Sequence, residues 1–236
     1  MDYSPGLAIA TACFEIAVAV WALRGPGERS IIRTTGAILL LLATYQIIEV
    51  SICSNVSAAG FLPQLAFIAV TWLPPLGLVL IARLYRPRSR ILYRNAYSML
   101  AIALGIVMWI ALDRGFVSVS VCTAVFARYT SAASRFMLYS GFYWLGLLGM
   151  ILFSGYGVKT CGDCHRRRLL FQVFVGTLAF VVPSLLASYF APPARGALPS
   201  VMCHFALLFA IFLTRLVYLE RQPTEEEKTP VIVQTG

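Results

Sequence analysis

Charged residues are scarce in this chain of 236 residues: they make up 12% of it, whereas 59% is hydrophobic. A soluble domain needs polar groups to cover its surface, so this composition excludes an ordinary soluble protein. The chain has only two lysines, Lys159 and Lys228, and two histidines, His165 and His204. A net charge of +9 would suit nucleic acid, but the basic residues lie in short segments between long apolar stretches. That placement is typical of a membrane protein and predicts no nucleic-acid partner.

The chain contains seven long apolar stretches with few charged residues. Each is close to the roughly 20 residues that a helix needs to cross a lipid bilayer. The first follows a start, residues 1–6, that carries an acid and no base, so we expect a retained helix rather than a cleaved signal peptide. The sequence therefore predicts an all-α, polytopic membrane protein, a bundle of seven transmembrane helices. The stretches run approximately over 6–23, 31–53, 61–84, 92–112, 136–157, 169–190 and 197–219.

Lysine and arginine are distributed unevenly between the two ends of these stretches. Fifteen flank one end, and four, at positions 114, 128, 135 and 195, flank the other. Because basic residues concentrate on the cytoplasmic side, we expect a multi-pass protein of the cell membrane with its N-terminus outside and its C-terminus in the cytoplasm. The bundle would occupy residues 1–221, and the polar segment 222–236 is predicted to be a disordered cytoplasmic tail. This tail, or the basic loop after the third stretch, could contact a cytoplasmic protein partner.

The third and seventh stretches resemble each other. Gly60–Gln64 and Gly196–Ser200 share the pattern Gly-x-Leu-Pro, and both stretches end near an arginine, a leucine and a tyrosine. Two parallel three-helix repeats around a central helix, a 3+1+3 plan, would give such an echo.

The ionisable side chains of Glu15, Glu49 and His204 lie inside the apolar stretches, away from the arginines near the ends of those stretches. Such groups are costly in hydrocarbon, so they usually face a protein interior or a wet cavity and serve a function there. Glu49 shares a helix face with Tyr45, four residues earlier, and Gln46 lies alongside. The structural alternative is that Glu49 extends to the lipid headgroups and that His204 makes a hydrogen bond between helices.

Two consecutive prolines, Pro74 and Pro75, lie in the middle of the third stretch and predict a kink beside Trp72. A kink there would form the wall of a cavity, and Tyr139 and Tyr143 of the fifth stretch would add aromatic walls. The alternative is that these rings serve only packing and an aromatic belt at the membrane surface.

These residues favour a pocket in the outer half of the bundle that binds a small ligand or ion for sensing or transport. An intramembrane enzyme, with Glu49 as acid or base and His204 as its partner, is the second hypothesis. An assembly subunit with no small-molecule site is the third. The absence of a second membrane histidine, and of aspartate within a stretch, weighs against the enzyme. We assign no catalytic residue, cofactor or metal ligand, and the predicted pocket is lined by Glu15, Tyr45, Gln46, Glu49, Trp72, Tyr143 and His204.

The cysteines leave several alternatives open. Cys161–His165 has the spelling of a c-type haem attachment site, but the surrounding basic residues predict a cytoplasmic, reduced and solvated loop. Cys53 and Cys122 both fall on the predicted outer side, and the sequence leaves open whether they form a disulfide.

The exterior segment 113–135 is predicted to form a short strand pair or an interfacial helix. Asn55–Ser57 is a glycosylation sequon, meaningful in a eukaryotic host.

This sequence lacks residues that two known families of seven-helix membrane proteins require, and it resembles a third family. The seventh stretch has no lysine, which excludes the Schiff base of a rhodopsin, and too few histidines are present for a zinc hydrolase of the alkaline ceramidase type. The chain resembles uncharacterised seven-helix proteins of bacteria and large viruses. Their second helix carries Gln-x-x-Glu, as in Gln46–Glu49, and their third an aromatic residue or glutamine followed by proline, as in Trp72–Pro74. Their last helix carries a small residue and a cysteine, as in Ser200–Cys203. It departs from them by lacking the aromatic residue after the glutamate. The resemblance implies a seven-helix bundle and no known activity.

Overall fold

The structure of the protein, a computed structural model, describes residues 5–54, 60–85, 89–113, 115–122, 127–190 and 198–222. The predicted sequon at Asn55–Ser57 and the predicted tail beyond residue 222 lie outside these ranges. The described part contains eight helices and two strands. In chain order they are α1 (Gly6–Arg24), α2 (Arg29–Ser54), α3 (Leu62–Thr71), α4 (Leu73–Leu84), α5 (Arg90–Leu112), β1 (Ser118–Cys122), β2 (Ala127–Thr130), α6 (Ala133–Thr160), α7 (Cys164–Phe190) and α8 (Leu198–Glu220).

Seven helices in the described residues are long and apolar enough to cross a membrane, with α3 and α4 together forming the third. The predicted all-α bundle of seven transmembrane helices is thereby confirmed. The third span is central: 78% of its most apolar stretch is buried inside the protein, against 22% for α5. It packs against α2, α5 and α6, while α1 packs against α2 and α8. The position of α1 between α2 and α8 brings Glu15 next to the helices that carry Glu49 and His204.

The third span is interrupted at Trp72, as the two prolines predict. Helix α3 ends at Thr71 and α4 begins at Leu73, so Pro74 and Pro75 fall in the first turn of a new helix. Proline is tolerated in a first turn because the backbone N–H that it lacks has no partner there. The helix resumes when the Leu76 N–H donates to the Trp72 carbonyl over 3.1 Å.

Helices α4 and α6 approach closely at glycine. A Cβ added to Gly146 would lie 2.5 Å from the Cβ of Pro74, and one added to Gly77 would meet the side chain of Met150. In a bilayer the hydrophobic effect does not drive helices together, so their association depends on close packing. Small residues at a helix–helix contact allow the two backbones to approach closely enough for it. The Pro74 ring is fixed to the backbone, so it cannot move aside as a flexible side chain would.

Replacing Gly146 with alanine should therefore lower the free energy of unfolding by about 1 to 3 kcal/mol, the usual cost of overpacking. Gly141→Ala is the matched control on the same helix, because no atom lies within 4 Å of the added Cβ. We expect that control to be neutral or stabilising, since alanine favours helix over glycine. Equilibrium unfolding in mixed micelles compares the two variants, and equal stabilities would contradict this account of the α4–α6 contact.

At one end of the bundle, here called the hairpin end, β1 and β2 form an antiparallel pair. Of the two forms considered for segment 113–135, the strand pair is the one observed. The hairpin is tied to α2 by a disulfide between Cys53 and Cys122, whose Cα atoms are 5.7 Å apart. Phe116 and Tyr129 are buried, and both contact the ring of Phe67 edge-on. The hairpin thus covers this end of the helices rather than extending away from it.

At the opposite end, here called the arginine end, ion pairs join the α1–α2 loop to α7 and α8. The Arg166 guanidinium donates to Glu28 Oε2 over 3.0 Å and to Glu220 Oε2 over 3.2 Å. The Glu28 backbone N–H also donates to Glu220 Oε1 over 3.3 Å. On α4, Arg83 donates to the Ser30 carbonyl over 2.6 Å and also contacts Thr34 Oγ1. Charged side chains thus hold together four segments that are far apart in sequence: the α1–α2 loop with the start of α2, α4, α7 and α8.

The segment Cys161–His165, whose sequence matches a c-type haem attachment motif, lies at the arginine end. The prediction that it forms a solvated loop is wrong in part. Cys161 is buried, and α7 begins at Cys164 rather than near residue 169. The reason is that Asp163 Oδ1 accepts the backbone N–H groups of His165 and Arg166, which caps the helix at its first turn. Among the described residues, no group of three or more histidine, cysteine or acidic side chains is placed to hold a metal ion.

Candidate functional site

Two carboxylates are buried within the bundle. Glu15 lies nine residues from each end of α1, about 13 Å along the axis, and Glu49 lies five residues before the end of α2. Both are 0% exposed, so the alternative in which Glu49 extends to the headgroups does not hold. Neither Glu15 oxygen has a hydrogen-bond partner among the described residues. The buried side chains of the described part include no lysine or arginine.

Gln46 links α2 to α8. Its Nε2 donates to the Cys203 carbonyl over 2.7 Å. A carbonyl oxygen can only accept, so this bond fixes which way the Gln46 amide points. Its Oε1 is left buried without a hydrogen-bond partner in the described part of the chain. The sequence placed Gln46 beside Glu49, and the structure adds that Gln46 presents an unused acceptor.

Tyr45 joins the acids to the hairpin end. Its hydroxyl lies 3.2 Å from that of Tyr129 on β2, and it also interacts electrostatically with the Cys203 thiol. Glu49 is close enough to interact electrostatically with Tyr45, and Cys203 is within the electrostatic reach of both Glu15 and Glu49. Cys203 is therefore the residue around which α1, α2, α8 and the hairpin meet.

An aromatic wall lies on the far side of Cys203. Tyr139 and Tyr143 of α6 stack with ring centroids 6.1 Å apart, and the Thr71 hydroxyl lies 3.5 Å from that of Tyr139. These rings border a cavity of about 40 Å³, which has room for about three water molecules. Its lining is Val70, Phe136, Tyr139, Ser140, Tyr143, Trp144, Met202 and Cys203.

The predicted pocket residues are distributed unequally around this centre. Glu15, Tyr45, Gln46 and Glu49 converge on Cys203, and Tyr143 lines the cavity beside it. Trp72 is half-buried at the break of the third span and packs against the core. His204 is half-buried on the flank of α8, one residue along from the fully packed Cys203. That these residues bind a ligand stays a prediction.

Two residues of this centre were not among those predicted. Cys203 was noted but not assigned to the pocket, because a cysteine inside an apolar helix looks like any small hydrophobic residue. Tyr129 lies in the hairpin, 84 residues from Tyr45, and no local pattern connects the two. Cys203 lies three or four residues from the next in a series of buried residues, Ala206, Ala210, Leu213 and Val217, and this spacing could have indicated the inward face of α8. The position of Tyr129 depends instead on how the hairpin folds back.

No protein-family model matches this chain, and no curated protein is significantly similar to it. The resemblance to uncharacterised seven-helix proteins therefore stays a prediction as well.

Proposed function

We propose that this multi-pass membrane protein binds a small ligand or ion in a pocket centred on Cys203, for transport or sensing. One observation carries the proposal: Cys203, which lines the cavity, interacts electrostatically with two fully buried carboxylates, Glu15 and Glu49. Burying a carboxylate whose oxygens lack hydrogen-bond partners in the described residues, as at Glu15, costs stability, and a bundle that served only for assembly would gain by replacing it with an apolar residue. A bound ligand or proton offsets that cost.

We also propose that the hairpin end faces the outside and the arginine end the cytoplasm. The disulfide between Cys53 and Cys122 favours an oxidising compartment for the hairpin end. The arginine end holds Arg83, Arg166 and Arg221, and basic residues favour the cytoplasmic side. These two arguments are independent and agree, and they support a pocket in the outer half of the bundle.

Thiol labelling of Cys203 tests this pocket. In a variant with Cys13, Cys161 and Cys164 replaced by alanine, Cys203 is the remaining free thiol. A small, cationic, membrane-impermeant methanethiosulfonate reagent should label it from the outside and not from the cytoplasmic side. Glu49→Gln should slow the reaction several-fold, because the carboxylate attracts the cationic reagent.

A variant that retains Cys161 in place of Cys203 is the matched control, since both thiols are buried but lie at opposite ends. It should resist the reagent added outside. If Cys203 is unreactive from both sides, the cluster is sealed packing, and the assembly-subunit hypothesis replaces the pocket.

A further inference from the structure

We propose that a cavity at the α1–α2 loop binds the phosphate of an anionic phospholipid through the guanidinium groups of Arg29 and Arg33. This site lies at the arginine end, away from Cys203, and it does not depend on the pocket proposed there.

The cavity lies where α1 ends and α2 begins. Its volume is about 280 Å³, against about 40 Å³ for the cavity beside Cys203. Two glycines border it and have no side chain to fill it, and one of them, Gly27, has a φ of 128°, where glycine is favoured. The loop therefore keeps this space open. The lining residues are Leu23, Gly25, Gly27, Arg29, Ile32 and Arg33.

The charged side chains that line the cavity are both arginines. Arg29 and Arg33 are four residues apart on α2, so they share one face of the helix, and both are exposed. The ion pairs of the described residues include neither of them. A guanidinium donates two parallel N–H bonds to the oxygens of a phosphate, so this pair suits a phosphate ligand.

Two acidic side chains lie close to the cavity, and Arg166 pairs with both. Glu28 Oε2 accepts from the Arg166 guanidinium over 3.0 Å, and Glu220 Oε2 accepts from it over 3.2 Å. Together with Arg29 and Arg33, three guanidinium groups then face two carboxylates. One positive charge remains, and the single negative charge of a phosphodiester would balance it.

Contacts from two other helices fix the backbone on both sides of the cavity. Arg83 of α4 donates to the Ser30 carbonyl over 2.6 Å, which holds the start of α2. Arg221 of α8 donates to the carbonyls of Trp21 and Ala22 over 2.7 Å and 3.0 Å, which holds the end of α1. Binding therefore needs little ordering beyond that of the two arginine side chains of the cavity.

Apolar lining favours a lipid over a free anion. Leu23 is half-exposed on the last turn of a helix long enough to span a membrane, and Ile32 adds a second apolar side chain. An acyl chain would cover Leu23 while the headgroup reaches the arginines, whereas a free phosphate gains nothing from apolar surface. Basic pockets between helices on the cytoplasmic side, where the proposed orientation puts this end, bind anionic headgroups.

Native mass spectrometry of the full chain in detergent, titrated with phosphatidylglycerol, tests the site. Arg29→Gln combined with Arg33→Gln removes both charges and should raise the Kd about thirtyfold, roughly fivefold for each charge. The double variant should fold, because both side chains are exposed. Arg29→Lys with Arg33→Lys, which keeps the charge and loses the planar fork, should bind more tightly than the glutamine variant. Phosphatidylcholine should bind more weakly than phosphatidylglycerol, because its choline group cancels the phosphate charge.

Arg90→Gln combined with Arg94→Gln is the matched control. These arginines are also exposed and four residues apart on the first turns of a helix, α5, but neither lines the cavity. The Kd of this variant for phosphatidylglycerol should stay within about twofold of that of the unmodified chain, because salt screens charges outside the site.

An equal loss of affinity in the two glutamine variants would overturn the site, since it would show only the attraction of a basic surface to anionic lipid. Equal Kd values for phosphatidylglycerol and phosphatidylcholine would also overturn it. Glycerol phosphate, which carries the phosphate without acyl chains, separates the two sources of this ligand. If it binds as tightly as phosphatidylglycerol, the cavity takes a soluble phosphate and the assignment to a lipid is wrong.

Discussion

Replacing Arg166 with methionine should lower the free energy of unfolding by about 3 to 5 kcal/mol. Arg166 bridges Glu28 and Glu220, and the Glu220 side chain is only 5% exposed. The variant leaves this carboxylate buried without the guanidinium, and the nearest remaining base is His165, 3.5 Å away. Unfolding followed by circular dichroism in mixed micelles measures the loss.

Arg168→Met is the matched control two residues along, because Arg168 is exposed. Exposed ion pairs contribute about 0 to 1 kcal/mol, so that variant should remain close to the unmodified protein. Combining Arg166→Met with Glu220→Gln should restore part of the stability, since the second change removes the buried charge. If the single Arg166 and Arg168 variants are equally stable, the arginine end is not held by this network.

Removing the disulfide, by Cys53→Ser with Cys122→Ser, should cost up to about 4 kcal/mol. The bond closes a loop of 69 residues, and the entropy of such a loop gives that figure. It is an upper bound, because membrane spans inside the loop retain helical structure when the bundle opens. Unfolding of the two forms should differ under oxidising conditions and converge when a reductant is added to the unmodified chain.

Cys13→Ser serves as control for this pair, because Cys13 is a free, exposed cysteine. It should leave the stability within about 0.5 kcal/mol. The double variant should also expose Cys203 more readily to thiol reagents, because the hairpin that places Tyr129 against Tyr45 is no longer fastened to α2. Unchanged stability in the double variant would show that packing of Phe116 and Tyr129 alone holds the hairpin.

The seven spans could be predicted because membrane insertion is a local property. Length and hydropathy of each stretch suffice, since every backbone polar group in a bilayer must be satisfied within its own helix. The break at Trp72 was predictable for the same reason, as proline acts on its own turn. The early start of α7 was not predicted, because it depends on the cap by Asp163, which lies outside the apolar pattern.

The sequence alone determined that Glu15, Glu49 and Gln46 lie within membrane spans, where polar groups are costly. Only the tertiary structure decided that Glu15 has no hydrogen-bond partner in the described residues and that Gln46 donates to the Cys203 carbonyl. It also decided that the hairpin folds back so that Tyr129 contacts Tyr45. Periodicity fixes which residues share one face of one helix, but it contains no information about the rotation of one helix against another. That rotation is set by contacts between distant segments, such as Gly146 against Pro74, and it decides which inward faces meet.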